Sequence, residues 1–263
     1  MSTWWQFRIS GEEESYSAQA AQAVFAVTDR MERLMSRFRD DSEISAIARL
    51  SCGGRFRLSR DVFDCLKLSK EMEKATGGSF DIRAAAGVFK GDLPHWSLDE
   101  TTLEFVADSG QCRLDLGAIA KGFTLDRMAE ELADWKISSY LLMSSGSSIL
   151  AGQAPVDQKG WRVRLGEGEE VREVLLSGRA VGTSGTEMRG SHIINSATGI
   201  PSCLHRRSWA FSDSAAVADA LSTAWMNMEW HQITGCCAQF PDIGAVILGP
   251  CGEMRFAGLA SGI

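Results

Sequence analysis

Three segments of this chain carry the side chains best suited to chemistry. In Arg113-Leu-Asp-Leu-Gly-Ala-Ile-Ala-Lys-Gly-Phe-Thr-Leu-Asp126, a short apolar strand is expected to run into Asp115. Gly117 and Gly122 bracket Ala118 to Lys121, and an amphipathic helix follows. Such a turn exposes backbone groups beside one carboxylate and one ammonium, which suits a ligand that brings phosphate and metal together. In Ala218-Asp219-Ala-Leu-Ser-Thr223-Ala, the carboxylate and the hydroxyl stand one helical turn apart on a single face. Their hard oxygens form a partial shell for Mg²⁺, which keeps waters or ligand phosphates as its other partners. Taken alone, such a pair more often belongs to an ordinary helix with a solvated Asp and a Thr bonded to its own backbone. The third segment joins a strand ending in Thr183-Ser184-Gly185 to His192-Ile-Ile-Asn195-Ser-Ala-Thr198-Gly199-Ile-Pro201. It offers hydroxyls and amides at a loop, then an imidazole able to act as a base near neutrality. A His beside Ile193 and Ile194 also reads as a satisfied structural residue.

These residues need a scaffold, and the apolar pattern supplies one. A first strand is expected over Trp4 to Ile9. A long helix follows from Ser17 to Arg37, with Val24, Val27, Met31, Leu34 and Phe38 at helical spacing. Asp40-Asp41-Ser42-Glu43 has the composition of a helix start, and a further helix over Ser59 to Thr76 stops at Gly77-Gly78. Beyond Asp81 the pattern turns to short β-like runs. They lie at 113–116, 139–143, 147–151, 161–165, 171–176, 179–182, 208–211, 245–248 and 254–256. Helices over 123–133 and 215–228 interrupt them. Helices and strands mix without strict alternation, which favours an α+β fold over a doubly wound sheet. No repeat or linker marks a boundary, so residues 1–263 read as a single domain. Asp126 reads as start chemistry of the helix after Lys121. The tryptophans Trp4, Trp5, Trp225 and Trp230 read as packing residues rather than ring-stacking partners.

Composition excludes several classes. The formal net charge is −7, and His205-Arg206-Arg207 is the only local basic cluster, so a nucleic-acid surface is not supported. No run approaches the roughly 20 apolar residues of a bilayer span. The beginning of the chain lacks the charge and apolar pattern of a secretory or lipoprotein leader. The seven cysteines, Cys236-Cys237 among them, show no CxxC spacing, which points to reduced, buried thiols in a cytoplasmic protein rather than a zinc or redox motif.

Taken together and in order, these runs resemble the ApbE-like family of Mg²⁺-dependent FAD:protein FMN transferases. That family shows Asp-Leu-Gly-Gly-Ile-Ala-Lys-Gly, then Thr-Ser-Gly, His-Ile-Ile-Asp-Pro-x-Thr-Gly and Ala-Asp-Ala-Leu-Ala-Thr. The resemblance extends to Ser36-Arg-Phe38 with Asp41-Ser42-Glu43, and to Gly77-Gly-Ser-Phe80-Asp81. It implies antiparallel β-sheet layers with flanking helices, T-fold-like, arranged as two intertwined lobes. It also implies that Asp115, Lys121, Thr183, Ser184 and Ile194 contact FAD, and that Phe38 supplies an aromatic packed on the flavin cofactor. Met1 would line the same site. Asp219, Thr223 and the Ala118 carbonyl would surround Mg²⁺, and His192 would act as the base.

Departures from the pattern are specific. Gly146-Ser147-Ser148 stands where the family has Gly-Gly-Asp, Asn195-Ser196 where it has Asp-Pro, and Ala118 where it has a glycine. These losses bear on turnover more than on binding. The implied reaction moves FMN from FAD to a Ser or Thr hydroxyl of a partner flavoprotein and releases AMP. Two alternatives use the same site: a pyrophosphatase that splits FAD into FMN and AMP, and a non-catalytic FAD-binding or assembly protein.

Overall fold

Glu13 decides where the first helix begins, because its carboxylate accepts hydrogen bonds from the Ser15 and Tyr16 amides. In a computed structural model that describes residues 4–83, 93–166, 171–185, 202 and 204–262, strand β1 (Trp5–Ile9) therefore leads into α1 (Glu14–Met35) earlier than the apolar repeat suggests. At its other end the helix stops at Met35, where Ser36 turns extended (φ −74°, ψ 117°). Phe38, expected on the helix's apolar stripe, lies beyond it and is 79% exposed.

Ser42 caps α2 (Glu43–Ile47) and Ser59 caps α3 (Arg60–Ala75), each through its hydroxyl oxygen, as their sequence signals suggest. Gly77 and Gly78, both at positive φ, end α3. Three strands that the pattern did not signal form one small antiparallel sheet in the order β2 (Arg55–Arg57), β4 (Glu104–Ala107), β3 (Trp96–Asp99). Their shortness explains the miss: three or four residues are too few for alternation to register. Trp96 stacks on Phe105 at 5.3 Å within this sheet, and Lys70 of α3 sits over the Trp96 ring.

The strand expected at 113–116 is not formed. Asp115 is extended and its amide donates to Ile82 O, but among the described residues this stretch joins no sheet, and Leu116–Ala118 is a 3-10 turn. After it come α4 (Ala120–Asp134), β5 (Tyr140–Ser144), β6 (Ser148–Ala151), β7 (Trp161–Leu165), β8 (Arg172–Leu176), β9 (Arg179–Gly185) and β10 (Arg207–Ser212). Then follow α5 (Ala215–Trp225), α6 (Trp230–Gln239), β11 (Gly244–Leu248) and β12 (Met254–Gly258). Helix α6 lies where the apolar pattern signals no element, and its start is marked by a capping box between Glu229 and Gln232.

A seven-stranded antiparallel sheet dominates, in the order β1-β5-β6-β9-β10-β11-β12. Period-two alternation divides its faces. Leu142, Leu150, Ala180 and Ala210 face the helices, while Leu141, Ile149, Val181, Trp209 and Phe211 join the β7–β8 hairpin in a second apolar cluster. Helix α5 lies on β9 and β10, α4 packs on α5, β5 and β6, α1 covers α4, and α3 touches α5. This is the α+β arrangement of antiparallel layers flanked by helices that the resemblance implies.

Two glycines let α5 approach this closely. A Cβ on Gly182 of β9 would lie 2.3 Å from the Ala218 carbonyl oxygen, and one on Gly122 of α4 would lie 2.1 Å from that of Ala215. Both distances are far inside van der Waals contact. The buried face of α5 is correspondingly rich in alanine, with Ala215, Ala216, Ala218, Ala220 and Ala224.

Candidate active site

Helices α4 and α5 cross at their first turns, and each caps the other. The residue before α4, Ile119, offers no capping side chain. The free amide of Gly122 instead donates to Asp219 Oδ2 of α5 at 2.8 Å. In return Asp126 of α4 accepts from the Ser214 hydroxyl at 2.7 Å and from the Ala215 and Ala216 amides at 2.8 and 3.0 Å. Asp126 is thus helix-start chemistry, as expected, but for α5 rather than for its own helix. Carboxylates at both N-termini also complement the helix dipoles.

Asp219 is 4% exposed. Its Oδ2 accepts a second bond from the Ser148 hydroxyl of β6 at 2.8 Å, and the Lys121 ammonium stands 3.7 Å away. Burial pushes the Asp219 carboxyl above the ordinary carboxylate range, opposed by Lys121 and by the two donors. Among the described residues Oδ1 accepts no hydrogen bond. One turn on, Thr223 Oγ1 lies 3.1 Å from Ser184 Oγ of β9, which is also 3.0 Å from Ser222 Oγ. Helix α5 and the strand β9 thereby bring Asp219, Thr223 and Ser184 to one region, with the Leu116–Ala118 turn packed against α5.

Asp115 Oδ1 accepts from the Gly117 amide at 2.9 Å, capping the 3-10 turn, and its Oδ2 lies 3.2 Å from Arg37 Nε. The Arg37 guanidinium in turn covers the exposed Phe38 ring, 4.5 Å from its centroid. Lys121 also donates to the Gly117 carbonyl at 3.2 Å. Thr183 is half-buried in β9, its amide bonded to Ser147 O at 2.7 Å, so the strand continues through the Thr-Ser-Gly run instead of ending before it. The remaining sequence candidates, Met1, His192 and Ile194, lie outside the described residues, as do Asn195 and Pro201.

Several participants carry no usable sequence signal. Ser148 reaches Asp219 across 71 residues of chain, and the Gly122 amide is a backbone group. Arg37 is invisible because only the fold brings it to Asp115. Trp225 is fully buried in the core with its indole N–H unpartnered among the described residues, so packing accounts for it.

The donor set suits Mg²⁺. Among the described residues no three carboxylate, imidazole or thiol groups cluster as a metal-binding set. The Asp219 carboxylate has the Thr223 hydroxyl one turn on along α5 and the Leu116–Ala118 turn packed against the same helix, so this region offers a carboxylate beside neutral oxygens. Mg²⁺ is commonly held by one or two carboxylates plus substrate phosphates, so this sparse set matches its habit. The free Oδ1 is the group such an ion would take. Two concavities lie elsewhere, one lined by Leu165, Trp209 and Phe256 and one by Ala133, Tyr140 and Gln153, and neither includes these residues.

The chain is similar to an FAD:protein FMN transferase of Treponema pallidum, 24% identical over 285 aligned residues that cover 90% of this chain and 78% of that protein. An FAD:protein FMN transferase of Vibrio cholerae is 26% identical over 232 residues, covering 74% and 69% respectively. In fold it is similar to the flavin transferase ApbE from Vibrio cholerae, with a TM-score of 0.86 at 19% identity over 99% of this chain and 95% of that one. The apo flavinyl transferase ApbE of Pseudomonas stutzeri gives 0.80 at 21% identity, over 96% and 89%. The family description "ApbE family" matches residues 1–247, so the protein built around this crossing of two helices belongs to the ApbE family.

Proposed function

We propose that this protein is a Mg²⁺-dependent FAD:protein FMN transferase acting on a Ser or Thr hydroxyl of a partner flavoprotein. Family membership and the names of its relatives support the reaction class. The observation that carries the site is Asp219, buried, held through one oxygen by the α4 N-terminus and β6, with Lys121 beside it.

In the proposed reaction the acceptor hydroxyl oxygen attacks the phosphorus on the FMN side of FAD. The P–O bond to the bridging oxygen breaks, and AMP leaves with that oxygen. His192 takes the hydroxyl proton, a contribution typically worth about 10²- to 10⁴-fold. When bound, Mg²⁺ supplies charge neutralisation on the diphosphate. Asp219, Thr223 and the Ala118 carbonyl would hold it, and Lys121 adds a fixed positive charge near the same phosphates. Asp115 and Phe38 would line the FAD site, with Thr183, Ser184, Met1 and Ile194.

We also take residues 1–263 to work as one unit and place the protein in the cytoplasm. Free thiols at Cys52, Cys65, Cys112, Cys236, Cys237 and Cys251 support that location. No helix among the described residues is long and apolar enough to cross a membrane.

Co-expression with candidate acceptor flavoproteins, read as covalent flavin fluorescence in denaturing gels together with AMP release, tests the proposal. Asp219→Ala should lose both signals at every Mg²⁺ concentration. AMP released equally without acceptor would show a hydrolase instead. FAD retention with no AMP under any condition would show a binding protein.

A further inference from the structure

Asp219 is tethered through one oxygen only. Its Oδ2 takes the Gly122 amide and the Ser148 hydroxyl, both at 2.8 Å, from two different elements, α4 and β6. Two directional donors on one oxygen fix both the position of the carboxylate and its rotation about the Cβ–Cγ bond. They leave Oδ1 without a hydrogen bond among the described residues. The Gly122 amide is set by the helix and cannot be tuned by a side chain. Ser148 is the adjustable member, fully buried, and Asp219 is the partner its hydroxyl serves.

We propose that Ser148 is a positioning residue: by binding Asp219 Oδ2 it presents Asp219 Oδ1 to a divalent cation. The proposal rests on the reading of Asp219 as the metal-binding carboxylate. A hydroxyl suits this role because it donates one bond to the carboxylate and adds no charge. Hydrogen-bonding partners of metal-binding groups typically change metal affinity by about 10- to 100-fold when removed.

A neighbouring residue provides a control. Ser144 of β5 is paired in register with Ser148, is equally buried, and its hydroxyl has no partner among the described residues. Removing that hydroxyl perturbs the same packing without touching Asp219.

The test is Mn²⁺ binding to the full chain without flavin, followed by electron paramagnetic resonance at one fixed pH. Ser148→Ala should weaken binding about tenfold or more, whereas Ser144→Ala should bind as the parent does and Asp219→Ala should not bind. The isosteric pair Ser148→Thr and Ser148→Val repeats the comparison should the alanine variant fold poorly: Thr keeps the donor and should retain binding, and Val should lose it. Parental affinity in Ser148→Ala or Ser148→Val, with binding lost in Asp219→Ala, would overturn the proposal and leave the metal reading standing. Equal weakening by Ser144→Ala would reduce the effect to packing and overturn it too. Undiminished binding by Asp219→Ala would remove the metal reading and the proposal together.

Discussion

Lys121 and Asp219 stand 3.7 Å apart with little exposure, and each has another fixed partner. Removing Lys121 therefore leaves the carboxylate's two hydrogen bonds in place and deletes only a positive charge. Lys121→Ala is expected to lower kcat/KM on the order of a hundredfold, the scale of one preorganised electrostatic donor, while the apparent affinity for metal alone changes little. Steady-state AMP release and Mn²⁺ titration check the two halves separately. Ser144 offers a prediction of opposite sign. Its buried hydroxyl has no partner among the described residues, so Ser144→Ala should leave stability unchanged or raise it by about 1 kcal/mol, measured by urea unfolding. The core thiols give a third contrast, since burial pushes Cys65 and Cys112 up to about 12, which keeps them as unreactive thiols near neutral pH.

The reciprocal capping of α4 and α5 makes the two helices one mechanical unit. Asp126 holds the α5 amides, yet burial raises its carboxyl above the usual range in spite of those bonds. A raised folded-state value means the group's contribution to stability is full below its unfolded pKa, near 3.9, and is lost as pH rises through the folded value. The stability difference between the parent and Asp126→Asn should therefore be larger at pH 4.5 than at pH 7.5, as read by urea unfolding at both. A difference that grows with pH would contradict this account. The glycine contacts belong to the same scale. Gly182→Ala puts a methyl against the Ala218 backbone carbonyl, where no side chain can swing aside. It should cost at least about 1–3 kcal/mol, the usual penalty of overpacking, and should weaken metal binding by displacing α5.

For the whole molecule, the sheet carries the site on its helical face and seals its other face with the β7–β8 hairpin and the second apolar cluster. Ligand binding on the helical face should then stabilise the fold as a unit. With FAD and Mg²⁺ each at about 100 times its dissociation constant, linkage contributes about 2.7 kcal/mol for each ligand. For a chain of this size that corresponds to a rise in Tm of roughly 5–10 °C. Thermal melts should show the shift in the parent and lose its Mg²⁺-dependent part in Asp219→Asn, which keeps a bond acceptor for Gly122 but not the charge. A full shift in that variant would argue that the cation sits elsewhere.

By itself the sequence determined the local events. Capping residues Ser42 and Ser59 set two helix starts, the glycines after Thr76 ended the second of these helices, and the spacing of Asp219 and Thr223 put both on one helical face. These depend on interactions spanning a few residues, so residue type and interval suffice. The apolar spacing that reached Phe38 misled because periodicity does not record where the backbone turns. Only the tertiary structure decided that Ser148 and Gly122 share Asp219, that Asp126 caps another helix, and that Arg37 joins Phe38 to Asp115. Each of these contacts joins elements distant in the chain. Their geometry arises from sheet order and from the close approach that Gly122 and Gly182 permit, and no single stretch of chain contains that information.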